Sequence, residues 1–391
     1  MSDTPHAPAP DLSAPTDVPA GAPVGVPAAV PEADEHRRVE ELAAHAAKEG
    51  VRTGPFASLG GIGGIGGIGG RGGGAGGGRG AGALRHLALV IALGILCAIG
   101  AITKGSSFAT TSNMVLILSL AAVIGVVTVG MTFVIIGGGI DLSVGALIAL
   151  ASVWSTTTGS QAQGPAVMIF TSVLVGTLCG LLNGLLIAYG RLVAFIVTLA
   201  TMVATRGLAE QLSDRKSQIV TADTFLSIAE TRWLGMPLLV YIFAAVVVLG
   251  WLVLNRTTFG RRTFAVGGNP EAARLAGINV RLHTCLLYVV SGFCCGIAAV
   301  MLTAQANTGA STHGMLYELN AIAAVVVGGT LLTGGFGSVL GSILGVLVFT
   351  TITDLFILNN LTTPIQEIAQ GAIIIAVLLI QRWGRGRSVT T

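Results

Sequence analysis

The sequence predicts an all-α, polytopic transmembrane helix bundle of about ten spans. Three observations carry this. The mean hydropathy is +0.82 and 10% of the residues are charged, where a soluble domain carries about 25%. Nine of the 18 acidic residues precede position 50, which leaves nine carboxylates for the remaining 341 residues. So few charges cannot build a water-facing surface. From Leu84 onward, apolar runs long enough to cross a bilayer follow one another with short breaks. The net charge of +3 does not point to nucleic acid, because the basic residues fall in short loops and tails.

Residues 1–83 form a different regime. The first 31 residues hold eight prolines among Ala, Val and Asp, a composition that favours extended, unpacked chain. Glu32 to Lys48 has the charge pattern of a short helix. Gly60 to Gly82 is nearly all glycine, whose backbone entropy opposes fixed structure. Gly61-Ile62-Gly63-Gly64-Ile65-Gly66 matches G-x-G-x-x-G in form only, since no strand precedes it and no helix follows. A cleaved signal peptide is not expected, because the first apolar run starts as late as Leu84.

The expected spans are 84–103, 112–136, 141–158, 166–189, 194–211, 237–254, 284–304, 319–333, 338–357 and 365–381. Ten spans place both termini on one side, and 384–391 forms a short C-terminal tail. Sixteen basic residues then fall in the segments on the terminal side and four on the other, with Arg206 inside a span. Without the seven before position 86 the ratio is still nine to four. Positive charge collects inside, so both termini are expected to be cytoplasmic. The 212–236 segment is the one sizeable external stretch.

Small residues mark helix contacts. Gly176, Gly180 and Gly184 recur at every fourth position, as do Gly337, Gly341 and Gly345, and Gly292 pairs with Gly296. This spacing lets helix backbones approach where no hydrophobic effect drives association. Gly137-Gly138-Gly139 and Gly328-Gly329 interrupt apolar runs, which serves either tight packing or broken helices around a pathway. Cys97, Cys179, Cys285, Cys294 and Cys295 lie in apolar stretches without metal-type spacing. Adjacent Cys294 and Cys295 point to different sides of a helix and read as packing residues.

The loop 255–283 is polar and carries Arg256, Arg261, Arg262, Arg274 and Arg281. Within it, Pro270 to Ala276 reads as a short helix. Asn269 can cap it, Pro270 suits its first position, Glu271 suits its first turn, and Gly277 can end it. A short helix between two spans, small on one face, is either an ordinary amphipathic loop helix or a knob for another protein.

This stretch resembles the permeases of ribose-type monosaccharide ABC importers. So do Tyr317-Glu318-Leu319-Asn320-Ala321-Ile322-Ala323-Ala324-Val325-Val326-Val327-Gly328-Gly329-Thr330, Gly139-Ile140-Asp141-Leu142-Ser143-Val144-Gly145 and Phe195-Ile196-Val197-Thr198-Leu199-Ala200. The four motifs stand in that family's order, and the resemblance covers about residues 84–383. The long Pro/Gly-rich tail departs from it. The resemblance implies a bacterial inner-membrane permease domain that pairs with a second copy. Two ATP-binding-cassette subunits dock inside, and a soluble sugar-binding protein delivers the solute from outside. By it, Gly268, Asn269, Glu271, Ala272, Ala273, Arg274, Leu275, Ala276 and Gly277 form the helix that inserts into the ATPase. It implies no cofactor in this chain, with ATP and magnesium held by the partner. The sequence agrees on its own terms: Lys48, Lys104 and Lys216 are the only lysines and none follows a glycine, so no Gly-Lys-Ser/Thr phosphate loop exists.

The polar groups inside or beside the spans are the candidate pathway residues. Asp141 with Ser143 either caps a helix or gates a path. Asn183 either bonds a neighbouring helix or touches substrate. Gln305, Asn307 and Glu318, followed by Asn320, flank an expected external loop and face either solvent or a cavity mouth. Asp354 and Glu367 are expected to reach water at span ends. His313 is a loop histidine without ligand partners, and no Ser/His/Asp or Cys/His set has nucleophile spacing. An ion-coupled secondary transporter using Asp141, Asp354 or Glu367 is the competing reading, but it leaves the 267–277 helix unexplained. Within the importer reading, nucleosides, branched-chain amino acids or a furanone signal are alternative cargoes.

Overall fold

A computed structural model describes residues 77–386, with side chains from His86 to Ile373 and at Ile375. Residues 1–76 of the expected tail and 387–391 lie outside the described residues. Fourteen α-helices follow in chain order: α1 Gly77–Lys104, α2 Thr111–Ile136, α3 Val144–Ser155, α4 Thr158–Ala162, α5 Pro165–Ala188, α6 Ala194–Ser213, α7 Asp223–Glu230, α8 Leu238–Arg256, α9 Thr258–Gly268, α10 Pro270–Leu275, α11 Val280–Ala306, α12 Tyr317–Val327, α13 Val339–Leu358 and α14 Thr363–Gly386. Four two-residue strands accompany them: β1 Gln218–Ile219, β2 Arg232–Trp233, β3 Met236–Pro237 and β4 Thr308–Gly309. β1 pairs antiparallel with β4, and β2 with β3.

Each of the ten expected segments contains one helix, and six of these are long and apolar enough to cross a membrane. α3 and α12 are shorter, at 12 and 11 residues. At about 1.5 Å per residue they reach roughly 18 Å, well under the ~30 Å apolar thickness of a bilayer. Both are half-helices, and glycine breaks them: α2 ends at Ile136 before Gly137-Gly138-Gly139, and α12 ends at Val327 before Gly328-Gly329.

What completes the span of α12 is not the loop expected from the sequence. The segment 307–316 runs back along α3. Gly309 packs against Ser152 and Thr156, near the β1–β4 end, whereas Gly314 packs against Gly145, at the start of α3. Gly309, Ala310, Ser311 and Gly314 are all buried. An irregular chain at this depth is tolerated only when protein satisfies its backbone.

The bundle is built around α2, which is buried on nearly every side from Ala121 to Ile136. An all-round apolar helix belongs in such a centre. α5 behaves oppositely. It buries one stripe, Met168, Ser172, Gly176, Gly180, Asn183, Gly184 and Ala188, and leaves Phe170, Leu174, Leu178 and Leu182 exposed to lipid. The stripe meets α11 backbone to backbone. A methyl group at Gly176 would stand 2.5 Å from the Gly292 carbonyl oxygen, and one at Gly184 would stand 2.6 Å from the Cys285 carbonyl oxygen. The second glycine repeat seats α13 on α12 in the same manner, with Gly341 against Gly328 and Gly345 against Ala324.

This packing yields the first prediction. Gly292→Ala forces α5 and α11 apart and lowers unfolding stability in detergent by about 1–3 kcal/mol. Gly94→Ala, where no heavy atom lies within 4 Å of the added carbon, is not destabilising in the same denaturation assay.

Candidate functional site

The chemistry-bearing groups gather in two places: the α9–α10 end of the bundle and its polar interior. At the first, Thr257 caps α9 through Gly260 N, and α9 is fastened to α11 by a 2.9 Å hydrogen bond between Thr263 and His283. Asn269 Oδ1 accepts from Ala272 N at 3.0 Å and starts α10. Glu271 and Arg274 pair across one turn at 2.8 Å, both exposed. Gly277 ends the helix with φ +82°, while Gly277 N and Ile278 N reach back to the carbonyls of Arg274 and Ala273. Only glycine takes this left-handed position without strain. Cap, first-turn acid and terminator are therefore where the sequence put them.

The two faces of α10 differ. Ala273 is buried against its own bundle, so its small side chain serves internal packing. Leu275 is 84% exposed, an apolar tip on a capped helix that nothing among the described residues covers. Behind α10 three glycine-containing breaks meet. Gly335 N donates to Ile136 O at 2.8 Å. A methyl group on Gly267 would press on that same carbonyl and stand 2.7 Å from Gly335 N. One on Gly334 would stand 2.9 Å from Gly138 Cα and 2.7 Å from Gly267 O. The α9–α10 corner, the break after α2 and the break between α12 and α13 thus touch through bare backbone.

In the interior, Asp141 is 0% exposed. Its Oδ1 accepts from Ser143 N at 3.0 Å and Ser143 Oγ at 2.5 Å, and its Oδ2 accepts from Ser291 Oγ at 2.8 Å. Asn183 Nδ2 donates to Ser143 Oγ at 2.9 Å, and Asn183 Oδ1 accepts from Thr201 Oγ1 at 2.6 Å. One chain of bonds therefore ties the entry of α3 to α5, α6 and α11. Asp141 turns the backbone into α3 and Asn183 joins helices; both sides of both groups are occupied.

A second network holds the 307–316 segment. Arg206 donates to the backbone carbonyls of Ser311 and His313. His313 Nδ1 bonds Ser152 Oγ at 2.8 Å, and Thr303 Oγ1 donates to the same hydroxyl at 2.8 Å. Glu318 lies beside Gly145, and its Oε2 is buried with no hydrogen-bond partner among the described residues. Asn307 takes the left-handed position that ends α11, φ +57°, and its carbonyl accepts from Val220 N. Gln305 stays half-buried on the last turn of α11.

Other groups depart from expectation. Asp354 does not reach water: it is 0% exposed and accepts from Asn113 Nδ2 at 2.9 Å across α13 and α2. Glu367 is exposed. Asn320 faces a small cavity between α2, α12, α13 and α14 that Thr350, Thr353 and Gln370 also line. Sequence reasoning gave Arg206 no role, although it is the one Lys or Arg set well inside an expected span.

Broken half-helices around a polar interior, with a capped helix projecting from one end, define a multi-pass membrane transport protein. Residues 113–378 match the family described as the branched-chain amino acid transport system / permease component. The chain is 36% identical over 302 residues to a ribose import permease protein of Haemophilus influenzae, covering 76% of this chain and 92% of the relative. It is 36% identical over 303 residues to the ribose import permease protein of Bacillus subtilis, covering 77% and 94%. With the L-arabinose transport system permease protein of Escherichia coli it shares 35% over 277 residues, covering 71% and 84%. No solved structure matches. The chain belongs to this permease family, among its ribose-type members.

The histidine anchor gives a stability prediction. His313→Leu leaves the Ser152 hydroxyl without its partner on this segment and lowers the thermal midpoint in detergent, whereas His313→Gln, which retains a partner, lowers it less.

Proposed function

We propose that this chain is the membrane-spanning permease of an ATP-binding-cassette importer for a pentose-like monosaccharide. A soluble binding protein delivers the sugar, and two partner ATPase subunits bind ATP and magnesium and drive alternating access. The observation that carries the reading is the projecting α10, with its exposed Leu275, on a chain related over most of its length to ribose and arabinose permeases. The chain works as a pair with a second copy in a bacterial inner membrane. Its basic segments, the 255–283 loop among them, lie in the cytoplasm with both termini.

In this reading Gly268 to Gly277 is the coupling helix. Leu275 and the Glu271–Arg274 pair face the ATPase, while Ala273 faces inward. When the ATPases close on ATP, α10 moves, and the glycine contacts behind it pass the displacement to both broken helices. Close-packed backbone passes on a shift because no side chain stands between the parts to change rotamer. An ion-coupled relay through Asp141 has less support, because every oxygen of that carboxylate is engaged.

Two experiments test this. Leu275→Asp, at a site that contributes nothing to internal packing, lowers co-purification of the partner ATPase at least about tenfold with an unchanged thermal midpoint. A retained complex would remove α10 from the interface. Gly267→Ala presses on Ile136 O and Gly335 N, whereas a methyl group at Gly268 meets Gly335 Cα no closer than 4.0 Å. In reconstituted complexes Gly267→Ala is expected to hydrolyse ATP while importing several-fold less sugar per ATP; Gly268→Ala keeps the wild-type ratio.

A further inference from the structure

Each polar side chain set deep in the bundle must find a partner, because no water is available there. Most do. Asn113 is spent on Asp354 and on the Phe108 carbonyl. Asn183 is spent at both ends on Ser143 and Thr201. Serine and threonine hydroxyls mostly return to their own helix, as Thr128 and Thr132 do.

Asn320 differs. It is half-buried, its side chain makes no hydrogen bond among the described residues, and it lines the cavity between α2, α12, α13 and α14. Gln370, on α14, faces the same space and donates Nε2 to Thr353 Oγ1 at 3.2 Å, which leaves its Oε1 open. The hydroxyls of Thr350 and Thr353 donate to the carbonyls of Val346 and Phe349, each at 3.0 Å. Their oxygens are left as acceptors toward the cavity.

We infer that Asn320, Thr350, Thr353 and Gln370 form a solute-contact site for a small, neutral, polyhydroxylated molecule, here in its closed state. The inference rests on the permease reading and adds named contacts to it. Four features argue for it. First, none of the lining residues is ionisable, so the site offers no charge to pair with a carboxylate or an ammonium group. Second, two amides supply donors and acceptors together, and two threonines supply acceptors, which matches the alternating demand of adjacent hydroxyls. Third, the Phe349 side chain forms an apolar wall beside these groups, suited to the C–H face of a sugar ring. Fourth, Thr350 stands eleven residues into α13, about 16 Å along it, near the middle of a ~30 Å core. Transporters place substrate there, beside half-helices, and Asn320 sits in the first turn of the half-helix α12.

The cavity, about 40 Å³, has room for water and not for a sugar ring. Opening requires α14 to move away from α13. The Gln370–Thr353 bond is a fastening that a sugar hydroxyl can replace, so solute entry and release of α14 become one exchange of hydrogen bonds. The cost of parting the helices is thereby offset by the bonds the solute makes.

The test uses the full permease reconstituted in lipid vesicles with its ATPase and binding protein, and radiolabelled ribose, arabinose and leucine as probes. Asn320→Leu and Gln370→Leu are expected to lower ATP-dependent pentose uptake about tenfold or more. Stimulation of ATP hydrolysis by loaded binding protein should stay within about twofold, a separation that misfolding does not produce. As a second measurement, Asn320→Cys or Thr353→Cys, in a chain cleared of its five native cysteines, should react with a small charged thiol reagent during turnover. Ribose-loaded binding protein should slow that reaction. If wild type imports a pentose while both leucine variants import it at the wild-type rate, the site is overturned and the permease reading stands. Asn320→Cys and Thr353→Cys variants that stay unreactive throughout turnover overturn it equally. A wild-type complex that imports leucine and neither pentose overturns the sugar reading, and this ligand class with it.

Discussion

The hydrogen bond from Gly335 N to Ile136 O, 2.8 Å long, is made where three chain breaks converge on bare backbone. Much else depends on this approach. α2 must stop at Ile136 for the carbonyl to be free. The chain between α12 and α13 must turn through Gly334 and Gly335 at φ +82° and +73°, a conformation that a side chain would oppose. The α9–α10 corner must bring Gly267 against both. A side chain at any of the three would hold the other two apart. The same economy of atoms recurs along α5 and α11, where glycine faces glycine. In a bilayer, where apolar surface gains nothing by leaving lipid for protein, close backbone contact is the main attraction available between helices.

The second constraint is satisfaction of polar groups in an apolar medium. The structure meets it by giving most interior polar residues a task. Asp141 turns the chain into α3, Asn183 joins helices, Arg206 covers the carbonyls of an irregular inner segment, and His313 anchors that segment to α3. Set against this background, the amide of Asn320 and the buried Oε2 of Glu318 stand apart.

The sequence carried the helices well, because hydropathy over twenty residues is a strong signal and lipid imposes it. The α10 helix was legible for a different reason: Asn269, Pro270, Glu271 and Gly277 each act locally, within the reach of one turn. The path of 307–316 was not legible. Asn307-Thr308-Gly309-Ala310-Ser311-Thr312-His313-Gly314 has the composition of a solvated loop. Its burial depends on Arg206 and Ser152, more than a hundred residues away in the chain. Asp354 misled in the same manner. Its place near a helix end suggested water, and its partner Asn113, 241 residues earlier, excludes it. Local chemistry can be read from a chain; partnership across it cannot.

That separation has a consequence for how the protein is made. α3 is too short to insert as an independent span, and its polar entry depends on residues synthesised much later. Ser291 follows Asp141 by 150 residues, and His313 follows Ser152 by 161. At about 5–20 residues per second, each of these groups waits on the order of ten seconds for its partner. During that interval the membrane holds an unfinished bundle with a carboxylate and a half-length helix unprovided for. Biogenesis therefore has to shelter α3, in the insertion machinery or at the lipid headgroups, until α11 and α12 arrive to enclose it.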